Sequence, residues 1–178
     1  FKNVFTRIKD FYLLDKADGT RTLCIIEGNI LAALNGNVEF ITLQKTHTKE
    51  TIFDAEYVEH DGKKIYYIFD VLAYNGENLT KTPTTNRVKY ISRIVEMAEG
   101  HVVPKAMVSL TDNYSAELSE MWKNAQVSTK YEVDGIIFTP KNEPYRKMKS
   151  WKWKPLDFMS IDFLVKEAPS NLIGTSPY

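Results

Sequence analysis

The chain is predicted to fold as an α+β domain of mainly antiparallel sheets with a few flanking helices, and three features carry that expectation. Runs of aromatic and β-branched residues dominate, turn signals separate several of them, and apolar residues at helical spacing mark two later stretches. The strand-like runs are residues 11–15, 22–27, 38–43, 51–59 and 64–72. Asp18-Gly19, Asn35-Gly36-Asn37 and Asp61-Gly62 punctuate them, and His60-Asp61-Gly62-Lys63 between two runs reads as a hairpin turn. A helix is expected over residues 84–99, with Val88, Ile91, Val95 and Ala98 on one face and Gly100 closing it. A second is expected over 115–126, where Leu118, Met121, Trp122 and Ala125 share a face. Both stripes are most simply core-packing faces. Further strands are expected at 102–110, 135–139, 150–154 and 160–165, with a domain boundary near 155–158.

A chain of 178 residues, 43% of them hydrophobic, can bury a sizeable core and suits one domain. Its formal charge is zero, so bulk electrostatics draw it to neither nucleic acid nor membrane. Local clustering says more. Lys141, Arg146, Lys147, Lys149, Lys152 and Lys154 crowd residues 141–154, interleaved with Tyr145, Trp151 and Trp153. A solvated basic loop is one reading of that cluster; a groove facing phosphates and bases is the other, and the aromatic residues favour it. The single cysteine, Cys24, excludes an internal disulfide and fits a reducing compartment. No apolar stretch approaches the ~20 residues that span a bilayer, and the first residues do not read as a signal peptide.

The stretch Lys16-Ala17-Asp18-Gly19-Thr20-Arg21 follows the apolar run Phe11-Tyr12-Leu13-Leu14. It puts a lysine at the end of a strand beside an acid, a turn glycine and an arginine. A lysine attacks phosphorus only as the neutral amine, so burial or nearby positive charge must lower its free pKa of ~10.4. Arg21 and the distal lysines could supply that charge, and Gly19 would let the backbone turn tightly. By itself the hexapeptide is also an ordinary surface turn. Asp54 and Glu56 lie two apart on a strand and share a face, Ala55 facing the other way. Lys152 and Lys154 alternate with Trp151 and Trp153, which puts lysines on one side and indoles on the other. His47, His60 and His101 have no metal-ligand spacing.

Lys16-Ala17-Asp18-Gly19 resembles the KxDG nucleophile signature of the covalent nucleotidyltransferases, the superfamily of ATP-dependent DNA ligases, RNA ligases and mRNA capping guanylyltransferases. Asp54-Ala55-Glu56 resembles its third motif, usually D-G-E, and Tyr67-Ile68-Phe69-Asp70-Val71-Leu72 the aromatic-Asp strand that follows. Asp134-Gly135-Ile136-Ile137-Phe138-Thr139-Pro140 looks like the fourth motif and Lys152-Trp153-Lys154-Pro155 like the fifth. The set runs in family order from residue 16 to residue 155. Within the superfamily, residues 134–146 (DGIIFTPKNEPYR), the KWKP that follows and Ser160-Ile161-Asp162-Phe163-Leu164 are similar to the capping branch.

The resemblance implies that Lys16 attacks the α-phosphorus of GTP, expels pyrophosphate and passes GMP to the 5′-diphosphate end of an RNA. It implies Arg21 on ribose or phosphate oxygens, Glu56 on the sugar or a metal-bound water, and Phe69 stacked on the purine. Asp134 would help hold Mg²⁺ or Mn²⁺, with Glu56 as the second metal carboxylate. Lys152 and Lys154 would face the α-phosphate, and Lys105 would meet guanine O6. Each has an alternative: a surface arginine, an acidic strand edge, a core phenylalanine, an Asp-Gly turn, an amphipathic edge strand, an exposed strand lysine. Asp70 reads as a structural cap as readily as a ligand.

Residues 1–156 would form the nucleotidyltransferase domain and 157–178 the start of a truncated C-terminal OB-fold domain or a linker. Expected partners are GTP, the RNA end, the OB-fold domain, and RNA triphosphatase and cap methyltransferase modules of the same pathway, with no membrane. A capping enzyme of a large DNA virus is compatible with the pattern, which implies an intracellular setting, cytoplasmic for a cytoplasmic virus and otherwise nuclear. Two other readings stand: a ligase-type adenylyltransferase using ATP, and a non-catalytic nucleotide- or RNA-binding module of the same fold.

Overall fold

A computed structural model describes residues 6–60, 62–128 and 130–159. The strand expected at 160–165 and most of the expected C-terminal segment lie outside the described residues. Two sheets make the domain. One has strand order β7-β1-β8-β9, built from β1 (Phe11–Ala17), β7 (Val108–Ser109), β8 (Val133–Pro140) and β9 (Trp151–Trp153). The other follows the order β2-β3-β4-β5, from β2 (Thr20–Leu34), β3 (Val38–His60), β4 (Lys63–Tyr74) and β5 (Glu77–Asn78). β6 (Val102–Pro104) joins the second sheet parallel to β4, and the remaining pairings are antiparallel. The helices are α1 (Thr84–Arg87), α2 (Ile91–Met97) and α3 (Tyr114–Gln126). The α+β expectation therefore holds.

Three local expectations change. Residues 38–43 and 51–59 are not separate strands: β3 runs through the polar stretch between them, paired along β2 with register shifts around Gly28. Pairing across the hairpin sustains β structure there without an apolar pattern, since most of residues 44–50 face solvent. The long helix expected at 84–99 is α1, a 3₁₀ turn at Val88–Tyr90, and α2. Its buried stripe is Ile91, Ile94 and Ala98, with Val88 and Val95 at the edge, while Thr84 and Arg87 turn inward to a polar partner. The strand expected at 102–110 splits because its halves pair with different sheets, β6 with β4 and β7 with β1. Residues 105–107 cross between the sheets, which puts Lys105 at the junction.

Each sheet buries an apolar face. In the larger one, Cys24, Ile26, Phe53, Ile68 and Val71 pack against Ile91, Ile94 and Ala98. In the smaller, Leu13, Ile136 and Phe138 pack with Leu118, Met121 and Trp122, three of the four residues expected on the α3 face. A third cluster holds the sheets together: Ala17 and Val133 from one, Val58 and Tyr67 from the other, with Ala125 of α3 and Tyr131.

Candidate functional site

Between the sheets lies a pocket of about 320 Å³, a size that suits a small ligand. Lys16, Ile137, Thr139 and Lys152 enter from the smaller sheet, Arg21, Glu56 and Phe69 from the larger, and Lys105 from the crossing. Six of the expected site residues thus share one cavity, although they come from strands far apart in the chain. Lys154 and Asp134 stand beside it and reach it through Lys16.

Lys16 sits opposite Gly135 in the β1–β8 pairing, and the ladder slips just after it. Its Nζ donates to Asp134 Oδ1 at 2.7 Å, and Lys154 Nζ meets Asp134 Oδ2 at 2.5 Å. One carboxylate therefore bridges two ammonium groups. Burial pushes the Asp134 carboxyl up, but the hydrogen bonds from Lys154 and Lys16 outweigh it and hold it below the usual carboxylate range. The bond to Asp134 pulls Lys154 the opposite way, above an ordinary lysine.

Both motif glycines serve close approach rather than an unusual backbone angle. A Cβ on Gly19 would lie 2.5 Å from the Tyr57 carbonyl oxygen and 2.9 Å from Glu56 Cγ. Gly19 lies in the two-residue bend between β1 and β2, as expected of a turn glycine, and its missing side chain also lets that bend pass against β3. A Cβ on Gly135 would lie 2.1 Å from the Trp153 carbonyl oxygen, so glycine there lets β9 lie on β8. Lys152 then faces the pocket, while Trp153 packs edge-on against Trp122 at 5.4 Å, as the alternation predicts.

Glu56 lines the pocket with its carboxyl pushed up by burial, against the opposing pull of Lys105, Lys16, Lys152 and Arg21. Ala55 is fully buried in the core behind it, so alanine fits at this position. Phe69 is half-buried and lines the pocket, leaving ring surface available to a ligand. Arg21 reaches the pocket too, but its Nη2 donates to Asp54 Oδ2 at 2.7 Å and to the Tyr145 hydroxyl at 2.8 Å. Tyr145 donates to the same Asp54 oxygen at 2.6 Å; burial and that bond push its phenol up to about 12.

Lys105 is no exposed strand lysine: it is 5% exposed, and its Nζ lies 3.3 Å from Asp15 Oδ1. Burial pushes its ammonium below the ordinary lysine range, with Asp15 and Glu56 opposing. Tyr131 steadies the arrangement, its hydroxyl donating to Asp15 Oδ2 at 2.7 Å and its ring centred 5.1 Å from Nζ.

Asp70, which the sequence left as cap or ligand, is structural. Arg87 grips it with two bonds at 2.8 and 2.9 Å, both side chains almost fully buried. Arg87 also donates to the Thr82 and Glu143 carbonyls and to Thr84 Oγ1. Sequence reasoning missed Arg87, Asp15, Tyr131 and the bond of Tyr145, and no local pattern marks any of them, because each partner lies on another element. Among the described residues, no group of three or more His, Cys, Asp and Glu side chains could hold a metal alone. Asp134 and Glu56 are carboxylates of the kind an ion of the magnesium type takes alongside phosphates and water, and both oxygens of Asp134 are bonded here to Lys16 and Lys154.

Residues 5–156 match the family model described as mRNA capping enzyme, catalytic domain. An mRNA-capping enzyme of African swine fever virus is 29% identical over 168 residues, covering 91% of this chain and 19% of its own length. The mRNA-capping enzyme of Caenorhabditis elegans is 28% identical, covering 85% of this chain and 29% of its own. The chain therefore spans between a fifth and a third of these relatives. A solved mycobacterial DNA ligase D complexed with ATP and MES superposes with a TM-score of 0.52 at 12% identity, covering 76% of this chain and 50% of that one, a likeness of fold. No helix among the described residues is long and apolar enough to cross a membrane.

Proposed function

We propose that this chain, which belongs to the family of mRNA capping enzyme catalytic domains, is a guanylyltransferase that carries GMP on Lys16. In the first step Lys16 gives up its extra proton and attacks the α-phosphorus of GTP as the neutral amine; the N–P bond forms, the bond to the bridging oxygen breaks, pyrophosphate leaves with that electron pair, and the nitrogen loses a second proton to solvent or to the leaving pyrophosphate. In the second, a terminal phosphate oxygen of a 5′-diphosphate RNA attacks the same phosphorus, the P–N bond breaks as the nitrogen takes up a proton, and the lysine amine is restored. The observation that carries this reading is the placement of Lys16 Nζ. It lies at a two-sheet pocket, bridged through Asp134 to Lys154, with Lys152, Glu56, Phe69 and Lys105 on the walls.

Asp134 orients the nucleophile, and Lys152 and Lys154 supply positive charge toward the α-phosphate. Phe69 offers a flat face for the purine, Lys105 a buried donor for guanine O6, Glu56 an acceptor for the sugar, and Arg21 a guanidinium at the pocket rim. Mg²⁺ or Mn²⁺ held by Asp134 and Glu56 would neutralise charge on the departing pyrophosphate. GTP, the RNA end and the other capping modules are the partners of this reading. Its setting is intracellular, and cytoplasmic where a virus transcribes there. The motif segment 1–156 is the catalytic unit.

Incubation with GTP labelled at the α-phosphate and a divalent ion is expected to leave an alkali-stable, acid-labile label on the protein, absent in Lys16→Ala and in Lys16→Arg. Labelling from ATP in place of GTP would reassign the pocket to ligase-type chemistry, and robust labelling of Lys16→Ala would remove Lys16 from the mechanism.

A further inference from the structure

Residues 147–152 are a wall shared by two cavities. Met148, Ser150 and Lys152 line the nucleotide pocket, while Lys147, Lys149 and Trp151 line a groove of about 270 Å³ on the other side. Lys147 closes a 3₁₀ turn, Tyr145–Lys147, and from Met148 onward the alternation is the two-residue period of extended chain. The groove is bounded also by Arg7, Asp10 and Glu143, and Arg7 is paired with Asp10 at 2.7 Å. Lys147 and Lys149 are exposed and form no ion pair among the described residues, and the Trp151 indole is 42% exposed. The outer side of the wall therefore carries two ammonium groups two residues apart, next to a partly exposed indole.

We propose, on the reading of the pocket as a guanylyl-transfer site, that this groove receives the first nucleotides of the single-stranded RNA acceptor. Backbone phosphates lie on Lys147 and Lys149, and one base lies against Trp151. The acceptor's end must reach the phosphorus on Lys16, so the chain behind that end leaves over a wall of the pocket. This wall pairs cations with a stacking surface, the combination that binds unpaired nucleic acid without reading its sequence. A groove of about 270 Å³ has the volume for a single base.

The test is equilibrium binding of a 5′-diphosphate oligoribonucleotide to the full chain across a salt series, read by fluorescence anisotropy. In Lys147→Ala/Lys149→Ala, affinity is expected to fall about tenfold, and the log–log salt slope to flatten by about 1.4, two phosphates at ~0.7 each. In Trp151→Ala, affinity falls at least about fivefold with the slope unchanged. GTP affinity stays within about twofold in both, because these side chains face away from the nucleotide pocket. RNA affinity and salt slope that do not move overturn the proposal, as does an absence of RNA binding by the wild-type chain. Equal binding of a polyglutamate peptide of matched charge also overturns it and points to an acidic protein partner. Binding is read without turnover, so failure of guanylyl transfer would appear in the GTP-labelling experiment and not in this one.

Discussion

Phe69 and Lys105 line one pocket and are expected to fail differently. Phe69→Ala should weaken GTP and ATP alike, by about 1–3 kcal/mol for one lost base stack. Lys105→Met, which keeps most of the stem, should cost GTP about 1.5–3 kcal/mol and ATP little, because adenine carries an amine where guanine has an acceptor. Equilibrium binding of both nucleotides decides it, and equal losses in Lys105→Met would leave that lysine only a partner of Asp15. Asp134 supports a pH prediction. Its folded pKa lies below the ordinary 3.8 because the bonds from Lys154 and Lys16 outweigh burial. The stability it contributes is therefore complete above the unfolded value and is lost as pH falls through the lower folded one. Asp134→Asn should flatten the decline in urea midpoint below about pH 4. A decline as steep as the wild type's would show that acid sensitivity resides elsewhere.

At the scale of elements, close contacts and one buried ion pair set the site. Gly135→Ala would drive a Cβ to 2.1 Å from a β9 carbonyl, forcing β8 and β9 apart. The expected result is a loss of about 1–3 kcal/mol or more in unfolding free energy, with weaker GTP binding because Lys152 moves with β9. Unaltered denaturant midpoint and nucleotide affinity would contradict the register. Arg87 ties α1 to β4 and to the carbonyl of Glu143, so Arg87→Ala strands a buried Asp70 carboxylate. It should cost about 3–5 kcal/mol, and Arg87→Ala/Asp70→Asn should recover part of that loss. Strand and helix types were legible in the sequence wherever a face is half buried: the alternation of Trp151 to Lys154 and the Leu118–Ala125 stripe both appear as expected. The length of β3 and the break before α2 were not, because one follows from pairing with β2 and the other from a turn toward Asp70.

At the scale of the molecule, the pocket exists only because two sheets meet, held by a cluster to which both contribute. Heat is therefore expected to melt the domain in one transition, and GTP at a hundred times its Kd to stabilise it by about 2.7 kcal/mol. Two calorimetric transitions, with only one shifted by GTP, would mean the sheets unfold independently. The order of the chemistry-bearing residues and the face each takes within its strand were determined by the sequence, since turn residues and alternation act over a few positions; Lys105, expected in a strand and found in the crossing between sheets, is the exception. The partner of each charge was decided by the tertiary structure alone. Lys16 meets Asp134 across 118 positions, Arg21 meets Asp54 across 33, and Lys105 is buried against Asp15 where the chain crosses between sheets. Ion pairing and desolvation depend on distances through space, and those are set by the packing of strands that no local pattern brings together.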